Sequence, residues 1–186
     1  MRLIIGITGA TGVIYGVRLL EVLAQMQDVE THLVISEAGA TTIEYETDRK
    51  VADVVKLADY SYDIDDTGAA LSSGSFKRDG MVVAPCTVKT MSALASSYTD
   101  NLLLRAGDVT LKERRKLVLL ARETPLHLGH IRNMARLTEM GAVIMPPVPA
   151  FYHRPRTLAE VIDHTIGKVL DLFDIDHNLT KRWEGL

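Results

Sequence analysis

The first residues in this chain with a chemical pattern are the glycines and hydroxyls of "GITGATGVIYG", residues 6–16. Gly6, Gly9, Gly12 and Gly16 recur directly after an apolar run, with Thr8 and Thr11 among them. A glycine turn between a strand and a helix suits a phosphate or another polar ligand group. Unpaired backbone N–H groups and the helix dipole attract negative charge there. The same turn also serves simply to let a strand and a helix pack closely. As a dinucleotide fingerprint it fails, because G-x-G-x-x-G requires glycines two and then three residues apart. The next apolar run ends in Ser36 rather than in a ribose-binding acid, and no tyrosine has a lysine four residues further on. Ser36 projects at the same strand edge as the turn, and a flavin mononucleotide, with one phosphate and a polar chain, fits that combination.

A second strand–turn–helix pattern, "VVAPCTVKTMSALASSYTDNLL" at 82–103, places Thr87, Lys89 and Thr90 at a helix start, another natural anion or flavin site. Cys86 reads as a small buried residue; only the helix start and Lys89 are near enough to activate it as a nucleophile. Further on, Lys112, Arg114, Arg115, Lys116 and Arg122 bring five positive charges into eleven positions. Some of these belong to a solvated helix end. Arg122 and Glu123, however, directly follow the apolar run "LVLLA" and are expected at the carboxyl edge beside the glycine turn. Arginine suits two-pronged phosphate binding, and Glu123 can orient it or handle a proton. The stiff segment "MPPVPAFYHRP", 145–155, presents Phe151, Tyr152, His153 and Arg154, either as a rigid connection or as the wall of a ligand pocket.

Metal patterns are poor. "DIDDTG" at 63–68 starts like a calcium loop but has Gly74 where the bidentate glutamate belongs. His127 and His130 lie three apart with no further zinc ligand in view. Asp65-Asp66 is followed by Thr67, Gly68 and Ala69, not by the Asp-Asp-x-x-Asp of magnesium-dependent diphosphate chemistry. A metal-free site is expected.

The elements that must hold these residues alternate along the chain. Strands are expected at 2–8, 31–36, 80–85, 116–121 and 142–145, with a weak candidate at 60–64. Helices are expected at 13–27, 37–46, 50–58, 88–97, 101–115, 127–140 and 157–173. Several strands are apolar nearly throughout, the signature of a parallel sheet buried on both faces. The expected fold is therefore an α/β three-layer sandwich, Rossmann-like or flavodoxin-like, with a mainly parallel sheet. With 186 residues and no composition break, one domain spanning 1–186 is expected, with a C-terminal tail from about 174. Helix 13–27 is apolar around most of its circumference, which predicts packing on a neighbouring subunit as well as on the sheet.

A net charge of −3 argues against nucleic acid or an anionic membrane as partner, and no apolar run reaches the ~18 residues of a membrane span. One cysteine and no signal-peptide pattern point to the cytoplasm.

Taken together, "TGATGVIYGVRLL", "ETD" at 46–48, "PCTVKT" at 85–90, "DVTLKERRKLVLLARETPLH" at 108–127, "GAVIMPPVPAFYHRP" at 141–155 and "RW" at 182–183 closely resemble the UbiX-like flavin prenyltransferases, long described as aromatic acid decarboxylases. The resemblance covers nearly the whole chain. It implies a Rossmann-like or flavodoxin-like subunit in a dodecamer with FMN between subunits. The implied activity joins a dimethylallyl group from dimethylallyl monophosphate to N5 and C6 of reduced FMN, without metal. The prenylated flavin then passes to a UbiD-type decarboxylase.

By the same resemblance, FMN contacts fall on Gly9, Ala10, Thr11, Ser36, Thr87, Val88, Lys89, Thr90 and Arg122. Prenyl phosphate contacts fall on Lys112, Arg122, Glu123, Tyr152 and Lys168. Glu46 stands where the family has a glutamate implicated in proton handling, and Trp183 closes the pocket. Lys112 and Glu123 join these two as catalytic residues. Thr11 and Thr87 replace the family's usual serine and keep its hydroxyl. Lys168 replaces the usual arginine, keeping the charge but losing its two-pronged grip. Two rivals share the fold: an FMN-dependent decarboxylase of cysteine type, which carries "PASANT" where this chain has "PCTVKT", and an FMN carrier without chemistry.

Overall fold

The computed structural model describes residues 1–180, 182 and 185. Two compact units are present, Met1–Pro146 and Pro147–Leu186.

The first unit contains a six-stranded sheet. Its strands are β1 (Arg2–Ile7), β2 (Glu30–Ile35), β3 (Tyr60–Tyr62), β4 (Gly80–Cys86), β5 (Lys116–Ala121) and β6 (Ala142–Ile144). They lie in the order β3-β2-β1-β4-β5-β6, and every neighbouring pair is parallel. The weak strand candidate is β3, whose three residues pair His32–Val34 of β2 at the sheet edge. β1, β4 and β5 are buried almost throughout, which explains their unbroken apolar sequence.

The helices of this unit are α1 (Val13–Leu23), α2 (Glu37–Glu46), α3 (Val51–Val55), α4 (Val88–Ala95), α5 (Leu102–Lys112) and α6 (Leu128–Glu139). Ile4, Val34, Met81, Val83, Leu117 and Leu119 point to one face of the sheet, into a cluster with Met91, Leu94, Leu103, Leu104 and Leu137 of α4, α5 and α6. The opposite face receives α1. A Cβ on Gly16 would stand 2.1 Å from the carbonyl oxygen of Ala84 and 2.9 Å from the Ile7 side chain, so only glycine permits this approach.

α1 ends at Leu23, short of the expected residue 27. Val13, Val17, Leu19, Leu20, Val22 and Leu23 are all buried within the one chain. The apolar circumference of α1 therefore does not itself require a second subunit. Exposed apolar side chains lie elsewhere in this unit, at Tyr45, Tyr98, Leu126, Leu128 and Ile131.

In the second unit, α7 (Leu158–Leu172) is capped by Thr157, whose hydroxyl accepts from the Glu160 N–H, while Glu160 accepts from the Arg156 N–H at 2.7 Å. The segment after α7 folds back on it: the His177 ring meets Asp171 at 3.2 Å and accepts from the Leu179 N–H.

Candidate active site

The strand order reverses between β1 and β4, and in an open parallel sheet such a switch point is where ligands bind, outside the carboxyl ends of the strands. Thr8 closes the bottom of this crevice. Its buried hydroxyl donates to the Pro85 carbonyl at 2.7 Å and accepts from the Thr87 N–H at 3.0 Å, locking the two strand ends together.

Above it opens a cleft of about 430 Å³, within the range of small-molecule sites. Gly9 from the glycine turn, Ser36, and the run Thr87–Thr90 line it. Three helix starts meet there. Ser36 caps α2 by accepting from Gly39, Thr87 caps α4 by accepting from Thr90, and Asn101 caps α5 by accepting from Leu104. Lys89, in the first turn of α4, adds the one cationic side chain of the lining, while Glu37, Asp65 and Asp100 supply carboxylates. A phosphate is therefore favoured at the α4 start, where the positive end of the helix dipole and Lys89 coincide.

The glycine turn itself is partly occupied. Gly12 begins α1 with a positive φ of 94°, and its N–H donates to the Glu46 carboxylate at 2.8 Å. Glu46, the last residue of α2, thus reaches back to the start of α1 and lines a separate open depression with Ile14, Glu21, Asp48 and Arg49. Ala10 and Thr11 belong to the same turn, outside the cleft lining.

Arg122 and Glu123 follow β5 at the carboxyl edge, as expected; the Arg122 N–H donates to the Cys86 carbonyl at 3.1 Å, and Glu123 accepts from the Thr124 N–H. Lys112 does not join them. It ends α5, ahead of β5, where its ammonium pairs with Glu113 beside Gly74. The length of β5, roughly 20 Å for six residues, separates it from Arg122 within one chain. Of the remaining basic run, Arg115 donates to the Arg78 carbonyl at the amino edge, a structural role.

In the second unit, the Tyr152 hydroxyl lies 2.8 Å from Nε2 of His164, and Lys168 lies one helical turn further along α7. Trp183 falls outside the described residues. Cys86 is fully buried, and burial pushes its thiol up to about 12, so it stays protonated and inert. Among the described residues no group of three or more metal-ligating side chains occurs.

Sequence reasoning left out of the cleft Glu37, Ala38, Ile64, Asp65, Asp100, Asn101 and Leu104. Asn101, a helix-capping residue before "LLL", carries a local signal, and Glu37 and Ala38 simply follow Ser36 in the first turn of α2; Ile64 and Asp65 come into place through the loop between β3 and β4, and Asp100 and Leu104 with the packing of α5.

These features define an open parallel α/β protein with a cleft for a small molecule at its switch point, among helix N-termini. The family profile described as Flavoprotein matches residues 1–184. The flavin prenyltransferase UbiX of Escherichia coli K12 is 58% identical over 186 residues, covering 99% of this chain and 98% of that protein. The crystal structure of AnUbiX (PadA1) in complex with FMN and dimethylallyl pyrophosphate superposes with a TM-score of 0.97 at 50% identity, covering 100% of this chain and 98% of that one. A dodecameric FMN-dependent UbiX-like decarboxylase from Escherichia coli O157:H7 gives 0.98 at 49% identity, covering each chain completely. The chain belongs to the UbiX-like flavin prenyltransferase family.

Proposed function

We propose that this protein is a metal-independent flavin prenyltransferase. It breaks the C–O bond of dimethylallyl monophosphate, releases phosphate, and joins the dimethylallyl group to N5 and C6 of reduced FMN. The product serves a UbiD-type decarboxylase. The observation that carries this reading is the cleft at the β1–β4 switch point, lined by Gly9, Ser36 and Thr87–Thr90 at the start of α4.

Reduced FMN, the prenyl acceptor, supplies the nucleophilic ring positions; everything else falls to side chains and backbone of this protein. Thr87, Val88, Lys89 and Thr90 hold the flavin phosphate at the α4 N-terminus, and Ser36 with the Gly9 turn receives the polar chain. Ala10, Thr11 and Arg122 complete the contacts at the same edge. Arg122, Glu123, Lys112, Tyr152 and Lys168 receive the prenyl phosphate. Their cations and donors stabilise the charge that gathers on the departing oxygens, the task a metal performs elsewhere. Glu46, anchored by the Gly12 N–H, accepts the proton that C6 loses when the second bond, from C6 to the prenyl carbon, forms and the ring regains its aromaticity.

The opposite placement of Lys112 and Arg122 fits a site shared between copies, and a dodecamer supplies them. The exposed Leu126, Leu128 and Ile131 offer apolar contact surface for it. The enzyme works in the cytoplasm on this reading, in keeping with the absence, among the described residues, of any helix long and apolar enough to cross a membrane.

The test is anaerobic. Protein, reduced FMN and dimethylallyl monophosphate are mixed, and the extracted flavin is weighed by mass spectrometry. A flavin heavier by one dimethylallyl unit is expected. Unmodified flavin that nevertheless copurifies with the protein would overturn the transferase assignment in favour of a carrier or a decarboxylase.

A further inference from the structure

His164, Lys168 and Asp171 follow one another at helical spacing along one face of α7. His164 lies 2.8 Å from the Tyr152 hydroxyl, and Lys168 is the cation assigned above to the prenyl phosphate. Asp171 has no part in that assignment, yet three side chains converge on its carboxylate. Arg182 donates from Nη2 to Oδ1 at 2.9 Å, and His177 Nε2 lies 3.2 Å from the same oxygen. The other oxygen, Oδ2, faces the Lys168 ammonium at 3.9 Å. The direction of the His177 bond is fixed by the second ring nitrogen. Nδ1 accepts the Leu179 N–H at 3.3 Å and so carries no proton; the ring's proton sits on Nε2 and goes to Asp171. Burial alone would raise the Asp171 carboxyl, but the hydrogen bonds from Arg182 and His177 outweigh it and hold the group below its ordinary range.

Both donors belong to the segment that follows α7, six and eleven positions beyond Asp171. That segment lies against α7 at Gly167, the neighbour of Lys168. A Cβ at position 167 would stand 2.8 Å from Cε1 of His177 and 3.4 Å from the Thr180 hydroxyl, so a side chain there would push the segment away. The His177 side chain is accordingly only 3% exposed. Further on, Leu179 and Thr180 form one side of a depression of about 470 Å³. His153 and Arg154, from the turn that carries Tyr152, stand on its other side. The segment therefore touches the helix beside Lys168 and borders the turn beside Tyr152. Its charged anchor is Asp171.

We propose that Asp171 is a positioning residue for the prenyl-phosphate end of the site: through His177 and Arg182 it clamps the C-terminal segment onto α7, bracing the helix face of Lys168 against the turn of Tyr152. The inference rests on the assignment of Tyr152 and Lys168 to the prenyl phosphate made above. Asp171 touches neither substrate nor flavin and acts only through this segment. Groups braced in advance lose less freedom when the phosphate arrives. Releasing the clamp therefore weakens binding of the prenyl donor and spares FMN, whose assigned contacts all lie in the first unit.

The test combines kinetics with hydrogen exchange. Asp171→Ala and Arg182→Ala are each expected to raise KM for dimethylallyl monophosphate roughly 3- to 10-fold, the worth of a charge-assisted hydrogen bond partly screened by solvent. FMN affinity and kcat are expected to stay within about twofold. Asp171→Asn keeps an oxygen for both donors, and Arg182→Lys keeps a charged donor; each is expected to recover part of the loss. Adding Arg182→Ala to Asp171→Ala is expected to raise KM no further. Amide exchange across residues 174–180, read by mass spectrometry, is expected to quicken about 10-fold in Asp171→Ala. Light scattering of each variant checks that assembly is intact.

A lower KM for Asp171→Ala would show a carboxylate that merely competes with phosphate for Lys168, and overturns the clamp. Exchange as slow as in the wild type overturns it too, as does quickened exchange with KM unchanged. All three leave the transferase in place, because the wild-type protein still prenylates flavin. A wild-type protein that leaves flavin unmodified removes instead the reading on which the inference rests.

Discussion

At the scale of single residues, position decides which of several similar groups does chemistry. Glu46 and Glu30 are both carboxylates held by hydrogen bonds, yet they serve different ends. Glu46 Oε2 takes the Gly12 N–H at 2.8 Å at the start of α1. Glutamine keeps an acceptor for that N–H but is no base. Glu46→Gln is therefore expected to slow prenyl transfer about 100-fold, in the range of general-base losses, while FMN binding stays within about twofold. Single-turnover mass measurements beside a flavin titration check this, and an unchanged transfer rate would sink the role. Glu30 instead stabilises the sheet edge. Its Oε1 receives Arg2 Nε and lies 2.8 Å from His32 Nε2, whose other ring nitrogen meets the Tyr62 hydroxyl at 2.9 Å. These bonds, that of Arg2 foremost, hold its carboxyl down from 4.5 to about 2. A depressed carboxylate stabilises the fold fully above the unfolded value, and that contribution is lost as pH falls from about 4.5 towards 2. The group is 36% exposed, so solvent screens it and the effect is modest. The stability gap between wild type and Glu30→Gln, measured by urea unfolding at pH 6, 4 and 3, is expected to narrow as pH falls. A constant gap would contradict it.

At the scale of elements, the active-site crevice depends on how closely α1 lies on the sheet. An alanine at position 16 would drive its Cβ to 2.1 Å from the Ala84 carbonyl oxygen, and backbone has little room to yield. Gly16→Ala is expected to cost about 2 kcal/mol, within the usual range for overpacking, and to weaken FMN binding, because Ala84 leads directly into the Pro85–Thr87 edge that Thr8 clamps. Denaturant midpoints and flavin titration read both effects; a variant with wild-type values in each would show that α1 adjusts independently of the cleft. Much of this architecture was legible beforehand. Unbroken apolar runs in β1, β4 and β5 announced a buried parallel sheet, and Thr87, Lys89 and Thr90 announced the start of α4. Two things were not legible. The glycine turn reads as a place for a phosphate or polar ligand group, but Glu46, 34 positions away, takes the Gly12 N–H there, a contact that sequence spacing cannot reveal. Asp65 and Leu104 reach the cleft only through tertiary packing, with no periodic or capping signal of their own.

At the scale of the whole molecule, the run "LKERRKLVLLAR" spreads charges that look contiguous across both edges of the sheet. Lys112 stands at the amino edge, paired with Glu113, and Arg122 at the carboxyl edge, with the length of β5 between them. If both touch one prenyl phosphate, they come from different copies of the chain. That requirement yields a test by mixing. Lys112→Ala and Arg122→Ala are each expected to lower transfer by 100-fold or so, since each removes a charge-stabilising donor from the departing phosphate. Coexpressed with separable tags and purified as mixed oligomers, they are expected to regain transfer. In a randomly mixed assembly roughly a quarter of sites draw Lys112 from one variant and Arg122 from the other, and so are intact. Mixed oligomers as inactive as either parent would place both residues in one chain's site, against the geometry of β5, or remove one of them from the site altogether. Recovery to about that fraction makes the assembly part of the catalyst, because no single copy can then surround the phosphate by itself.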